Sequence, residues 1–218
     1  IPPALFFHRL LRAVCRAAAR SLPEGSFPDG YTANELTFLR SFRAHVVGHL
    51  GKYVPGKATV VVLRAGLLPP HVDRGRAVVA VVVETLATMS AGAFLAATIL
   101  IWIAPHSPLV FVSVVLMAVS LAPILPPVLR KLAKFGPIGA RAAEASDALG
   151  RIQFGLLIEG WLTVAVGWLL WGLSLWATTR GIGGDALDPW TDLPLATASA
   201  ALAVVAGFLS LIPGGAVV

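Results

Sequence analysis

The residues best suited to chemistry lie in a short basic segment, Gly-Lys-Tyr-Val-Pro-Gly-Lys at 51–57, followed by two charges, Arg64 and Glu84. Glycine and proline break a helix and leave backbone N–H groups available as donors. Lysine neutralises a phosphate as a point charge, and arginine can hold one with two parallel hydrogen bonds. These residues predict a binding site for an anionic headgroup, in which Glu84 pairs with Arg64 when the site is empty, or with a cationic headgroup.

The same segment matches seven of the eight positions of a phosphate-binding P-loop, but the eighth position is wrong. Ala58 stands where magnesium coordination needs Ser or Thr, and Thr59 comes one position late. Pro55 also removes an N–H group that a phosphate cradle would use. We therefore reject nucleotide binding and predict no cofactor.

The sequence contains no complete motif for a metal site or for general acid–base catalysis. His45 and His49 are four residues apart on one helical face, but Val46 occupies the position of the glutamate in H-E-x-x-H, and no third ligand is evident. Two isolated glutamates, Glu84 and Glu159, do not define a reaction class. We predict no metal site, no catalytic residue and no enzymatic activity.

The composition is that of a multi-span membrane protein. Hydrophobic residues make up 57% of the 218 residues and charged residues only 13%, whereas about a quarter of a soluble domain is charged. Lys and Arg outnumber Asp and Glu by 17 to 11, a basic excess that nucleic-acid binding proteins also show. Because the basic residues are distributed by membrane side, we predict anionic lipids as partners and no nucleic acid.

The apolar runs predict an all-α, polytopic transmembrane helical bundle with a re-entrant half-helix. A cytoplasmic or interfacial segment covers 1–75 and contains the re-entrant element at 51–70, whose apolar run is too short to cross a bilayer. The transmembrane bundle covers 76–218. Its predicted spans are 77–104, 109–129, 153–178 and 195–212.

The segment before the bundle is mixed in character. Residues 8–30 predict a short surface helix and a loop. Thr-Ala-Asn-Glu at 32–35 fits a capping box that begins an amphipathic helix reaching Leu50. Such a helix either lies on the membrane surface or contacts a partner helix.

The basic residues also indicate which side each loop occupies. Eleven Lys and Arg precede residue 77, none lies in 105–108, five lie in 130–151 and one lies in 179–194. The positive-inside rule therefore places 8–76 and 130–151 in the cytoplasm, and we expect the membrane to be the plasma membrane. Three tryptophans then fall near the outer face, as in an aromatic belt: Trp102, Trp176 and Trp190.

Two signatures in the right order give the chain a family resemblance. The heptapeptide at 51–57, Arg64 before Gly-Leu-Leu, Glu84, and Ser-Leu-Ile-Pro-Gly-Gly at 210–215 resemble the lysylphosphatidylglycerol synthase transmembrane-region family, or flippase-like integral membrane proteins. The resemblance runs from about Phe38 to the end of the chain. It implies a domain similar to the lipid-translocating half of the aminoacyl-phosphatidylglycerol synthases. The aminoacyltransferase domain is absent, and the cut ends lead us to expect a fragment of a longer protein.

The resemblance also implies a function and a set of site residues. It implies that the protein translocates or binds an anionic or lipid-linked headgroup. The alternative is a non-transporting membrane subunit that docks or regulates an enzyme of envelope lipid or glycan synthesis. The implied site consists of a first signature, its charged companions and a second signature: Lys52, Tyr53, Pro55, Gly56, Lys57, Arg64, Glu84, Pro213, Gly214 and Gly215.

Overall fold

A computed structural model describes most of the chain as helix. The described residues are 2–19, 36–53, 58–69, 72–122, 125, 127–128, 154–183 and 188–209. Their α-helices are α1 (Pro2–Ala19), α2 (Phe38–Gly48), α3 (Ala58–Gly66), α4 (Arg74–Ile103), α5 (Leu109–Leu121), α6 (Phe154–Gly183) and α7 (Pro189–Leu209). A 3₁₀ segment, His49–Tyr53, follows α2 directly. These residues contain no strand, so the all-α prediction is confirmed for the part of the chain that is described.

Helix α4 is the centre of the fold, since α1, α3, α5, α6 and α7 all pack against it. Asp73 caps its start by accepting a hydrogen bond from the backbone N–H of Arg76 at 2.9 Å. Its buried surface is rich in small residues, which let neighbouring backbones approach closely. These include Ala77, Ala80, Ala87, Ala91, Gly92 and Ala96.

Three of the described helices, α4, α6 and α7, are long and apolar enough to cross a membrane. They correspond to the first, third and fourth predicted spans. The second predicted span, 109–129, is described only in part. Helix α5 begins at Leu109 as predicted but has 13 residues. A helix of that length reaches about 20 Å, short of a hydrocarbon core of about 30 Å.

The loop predicted at 179–194 is shorter than expected, because α6 continues to Gly183 and α7 already begins at Pro189. Asp188 directly precedes α7, and Asp192 lies in its first turn. The Asp192 carboxylate accepts a hydrogen bond from the backbone N–H of Asp188 at 2.7 Å. A carboxylate in the first turn also suits the positive end of the helix dipole.

Helix α1 corrects the prediction of a short surface helix within 8–30. It begins at Pro2, and one face packs against α2, α4 and α6. That face carries the fully buried residues Phe6, Phe7, Leu10, Leu11 and Val14. Their helical spacing was hidden by the arginines between them, which occupy the other face. Residues 20–30 lie outside the described part of the chain.

Helix α2 begins later than the sequence suggested. Leu36 and Thr37 are not helical, and Thr37 is the N-cap, its side chain accepting a hydrogen bond from Arg40 N at 3.4 Å. The predicted capping box at 32–35 lies outside the described residues, and the described helix begins at Phe38. Several Ser, Thr and Asn residues precede the helix, and the local pattern cannot choose among such caps.

The two sides of α2 differ from those of a helix on the surface of a soluble protein. Its buried side carries small and polar residues: Ser41, Ala44, His45 and Gly48. Its exposed side carries two large apolar residues, Leu39 and Val46, together with Arg40 and Arg43. Exposed apolar and basic residues on one helix are typical of an amphipathic helix at a membrane surface or at a partner contact.

A buried histidine joins α1 to α2 and predicts a pH dependence of stability. His8 Nδ1 lies 3.0 Å from Ser41 Oγ, and the pKa of His8 is lowered from 6.5, first by burial and then by Arg12 and Arg9. The unfolded chain therefore binds the proton more readily than the folded one. His8 contributes full stability above pH 6.5, and this contribution is lost as the pH falls through the lowered folded pKa.

We expect the unfolding midpoint to drop between about pH 7.5 and pH 5, and to drop less in His8→Gln. The measurement is thermal unfolding of both proteins across this range in one detergent. The other histidines are present in both proteins, so their contributions cancel in the difference. Parallel pH profiles would contradict the prediction.

Candidate functional site

The centre of the candidate site is a buried ion pair between α3 and α4. Arg64 Nη1 donates a hydrogen bond to Glu84 Oε2 at 2.5 Å, and the two side chains are only 3% and 4% exposed. Thr88, one turn further along α4, donates from Oγ1 to Glu84 Oε1 at 3.2 Å. The structure thus brings together the two charges that the sequence predicted to pair.

Two glycines allow α3 to approach its neighbours. A Cβ on Gly48 would collide with the aliphatic part of Arg64. A Cβ on Gly51 would lie 2.8 Å from the backbone N of Val60, too close for any real side chain. The sequence suggested that Gly51 breaks the helix and exposes N–H groups. The structure gives it a further role, the close contact between the 3₁₀ segment and α3.

A hydrogen bond from α4 also holds the end of α3. Arg74, the first residue of α4, donates from Nη1 to the backbone carbonyl of Ala65 and, at 3.4 Å, to that of Leu68. Carbonyls at the end of a helix have no partner within it, and a basic side chain satisfies them favourably. Arg64 is therefore positioned by a helix whose last turn is fixed to α4.

Two histidines extend the ion pair into a buried network. His49 Nε2 lies 3.1 Å from Arg64 Nη2 and 3.1 Å from His45 Nε2. Arginine can only donate, so His49 Nε2 is the acceptor in its contact with Arg64. The same nitrogen lies within hydrogen-bond distance of His45 Nε2, so the two histidines connect the ion pair to α2.

An aromatic ring from α1 covers the guanidinium. The centroid of the Phe7 ring lies 5.8 Å from Arg64 Cζ, within the range of a cation–π interaction. Phe7 also lies beside His45, with ring centroids 6.0 Å apart. Arg64 is thus surrounded by groups from α1, α4 and the end of α2, which keeps water away from the ion pair.

Of the other predicted site residues, only two lie in the described part of the chain. Lys52 and Tyr53 lie in the 3₁₀ segment between α2 and α3. The others lie outside the described residues, namely Pro55, Gly56, Lys57, Pro213, Gly214 and Gly215. Of the predicted set, the structure brings Arg64 and Glu84 into contact.

Sequence reasoning missed His45 and His49 as members of the site, because it considered them only as metal ligands. Within the described residues, no group of three or more His, Cys, Asp and Glu side chains is arranged to hold a metal. The signal that could have found them is the four-residue spacing itself. It places both rings on the face of α2 that must meet the next element.

Arg64 has more donors than its contacts with Glu84 and His49 use. Arg64 uses two of its nitrogens on Glu84 and His49, and its buried Nε–H makes no hydrogen bond to any described residue. A guanidinium has five N–H donors, so a phosphate that replaces the carboxylate can form a bidentate contact. Such an exchange would keep the buried positive charge compensated, and the freed Glu84 carboxylate would then need a proton or a cationic group in place of Arg64.

Comparisons with protein-family models, with curated proteins and with solved structures each find no match to this chain.

Proposed function

We propose that this chain is an integral membrane protein that binds an anionic lipid headgroup near the cytoplasmic ends of its helices and passes it toward the other leaflet. The observation that supports this function best is the buried Arg64–Glu84 pair, between the short helix α3 and the central helix α4. Charged residues at membrane depth are costly and usually belong to a substrate or ion pathway.

The outer surface of α6 supports placement in a bilayer. Its charged residues are Glu159 near the start and Arg180 near the end, and the stretch between them, 160–179, is uncharged. Twenty residues of helix span about 30 Å, the thickness of the hydrocarbon core. Arg180 lies over the ring of Trp176, with Cζ 5.2 Å from its centroid, a pairing that suits the membrane interface.

The length and the two sides of α3 support its interpretation as a re-entrant half-helix. Its nine residues reach about 14 Å, roughly half of the hydrocarbon core. Val62 on its outer side is exposed, while Arg64 and Ala65 on its inner side are buried. A half-spanning helix with an apolar outer side and a charged inner side is tolerated where protein surrounds the charge.

The mechanism that we propose is anion exchange at Arg64. A phosphate approaching from the cytoplasm meets the basic segment that contains Lys52 and Lys57 and then displaces Glu84 from Arg64. The displaced carboxylate loosens the contact between α3 and α4. Loss of this contact lets α3 move with the bound headgroup, while the acyl chains stay in lipid. The substrate class is an anionic phospholipid or a lipid-linked phosphate.

We expect Arg64→Lys and Lys57→Ala each to slow translocation of an anionic lipid by about tenfold or more, equivalent to ~1.4 kcal/mol of lost binding. Lysine keeps the charge but not the bidentate geometry. The measurement is movement of fluorescent phosphatidylglycerol and phosphatidylcholine between the leaflets of liposomes that contain the purified protein. Arg43→Ala, on the exposed side of α2, is the matched control and should translocate normally.

Normal transport by both site variants would remove Arg64 and Lys57 from the mechanism. If folded wild-type protein moved no lipid, the docking subunit would become the better function. The exposed apolar residues of α2, Leu39 and Val46, would then belong to its contact surface.

A further inference from the structure

A second basic region lies between α1 and α6, away from Arg64. It is an open groove of about 320 Å³, and its lining includes Leu5, Arg9, Arg12, Arg16, Leu156 and Glu159. The resemblance that pointed to the first site begins near Phe38, so it does not cover α1.

The three arginines are held on one side of a fixed helix. Arg9, Arg12 and Arg16 follow the spacing i, i+3 and i+7, which places them on one face of α1. The other face carries fully buried residues, including Phe7 and Leu10. Because the buried face fixes the rotation of α1, the arginine face is directed toward the start of α6.

Among the described residues, the lining of the groove carries more positive than negative charge. It includes three guanidinium groups and one carboxylate, that of Glu159. Glu159 forms an ion pair with Arg9, and both side chains are about half exposed, at 54% and 46%. The lowered pKa of the neighbouring His8 has burial as its main cause and Arg12 and Arg9 as further causes, which is consistent with a positive potential here.

Contacts along α6 place the groove at the level of the lipid phosphates. The first turn of α1 is beside the uncharged stretch of α6, where Pro3 packs against Gly167. Further along α1, Arg9 pairs with Glu159 at the end of that stretch. Helix α1 therefore passes from hydrocarbon depth to the interface, and its arginines follow on the cytoplasmic side. Leu5 lines the part of the groove that is nearest to the hydrocarbon.

We infer that this groove binds the phosphate of an anionic membrane lipid from the cytoplasmic leaflet. Arg12 and Arg16 contact the phosphate, and an acyl chain passes Leu5 into the bilayer. Arginine suits this task because its planar donors match phosphate oxygens. The inference rests on the membrane placement proposed above but does not require that the protein translocates lipid.

The test is equilibrium binding of three probes to detergent-solubilised full-length chain, followed by native mass spectrometry. The probes are phosphatidylglycerol, phosphatidylcholine and water-soluble glycerol phosphate. The groove variant is Arg12→Gln/Arg16→Gln, which keeps most of each side-chain stem. The control is Arg43→Gln/Arg180→Gln, which removes the same charge from α2 and from the far end of α6.

We expect the groove variant to lose about tenfold or more in affinity for phosphatidylglycerol, and the control to lose none. Phosphatidylcholine and glycerol phosphate should bind weakly to every protein. Equal losses in both variants would overturn the inference, since surface charge in general would then explain the binding. Equal affinity for glycerol phosphate would overturn the assignment to a lipid. Because no transport is needed for binding, an inactive translocator would still give the expected result.

Discussion

Glu84→Ala is expected to lower the free energy of unfolding by about 3–5 kcal/mol, because it leaves Arg64 charged and buried without its carboxylate. Arg64→Ala should have an effect of similar size, since it leaves the Glu84 carboxylate in the same position. The desolvation cost of the remaining charge dominates both values, so neither measures the strength of the ion pair itself.

The double variant Arg64→Met/Glu84→Met separates these contributions. It removes both charges and keeps much of the side-chain volume, so we expect it to be more stable than either single variant. The measurement is chemical unfolding in one detergent of the wild type, this double variant and its two component single variants, Arg64→Met and Glu84→Met, analysed as a double-mutant cycle. Additive effects of the single changes would show that the two charges do not depend on each other.

A second, more exposed ion pair is the matched control. Arg9 and Glu159 are about half exposed, so water screens their interaction. The same cycle at this pair should give a coupling energy of about 1 kcal/mol or less. The comparison also helps to interpret transport. If the double methionine variant folds and translocates no lipid, the charges are needed for function and not only for stability.

Trp168→Ala is expected to lower the free energy of unfolding by about 3–5 kcal/mol. The Trp168 side chain on α6 is 3% exposed. Its ring fills the space above Gly92 on α4, where a Cβ would lie 2.8 Å from ring atoms. Its Nε1 donates to the backbone carbonyl of Thr88 at 3.0 Å. Removal of the ring leaves a cavity between the two helices and removes a second hydrogen bond to a carbonyl that already takes part in helix α4.

Thermal or chemical unfolding in detergent would measure this loss, with Trp190→Ala as the control. Trp190 is 80% exposed at the start of α7, and its removal should change stability by about 0.5 kcal/mol or less. Similar losses for the two variants would contradict the packing role of Trp168. Trp168→Phe should fall between them, because it keeps part of the ring volume but not the hydrogen bond.

The long helices could be predicted from the sequence because their boundaries have simple physical causes. Helix α4 begins at Arg74, three residues before its predicted start, and ends at Ile103, just before Pro105, so apolar content and length locate it within a few residues. Helix α5 shows where this reasoning fails. Its apolar run continues past Pro123, yet the helix ends at Leu121. Apolar content does not reveal how a proline will act, because a helix can bend at a proline or end before it.

The part of the site that could be predicted from the sequence is the ion pair. Arg64 and Glu84 lie in apolar surroundings, and a buried charge needs a partner, so their pairing followed from the sequence. The contact of His49 with Arg64 did not, since it depends on how α2 and α3 cross. The groove between α1 and α6 is harder still. Its residues are more than a hundred positions apart, and no local pattern connects them.

The two charged ends of α6 have a consequence for the choice of membrane. Glu159 and Arg180 are separated by one fixed length of apolar helix. In a thicker bilayer one of these charges would enter hydrocarbon or the lipid would have to thin around the protein, and in a thinner one α6 would tilt. Each adjustment costs a fraction of a kcal/mol per Å of mismatch. With α6 placed across the bilayer as proposed, hydrophobic matching would therefore favour membranes of one thickness, independently of which lipid headgroups they carry.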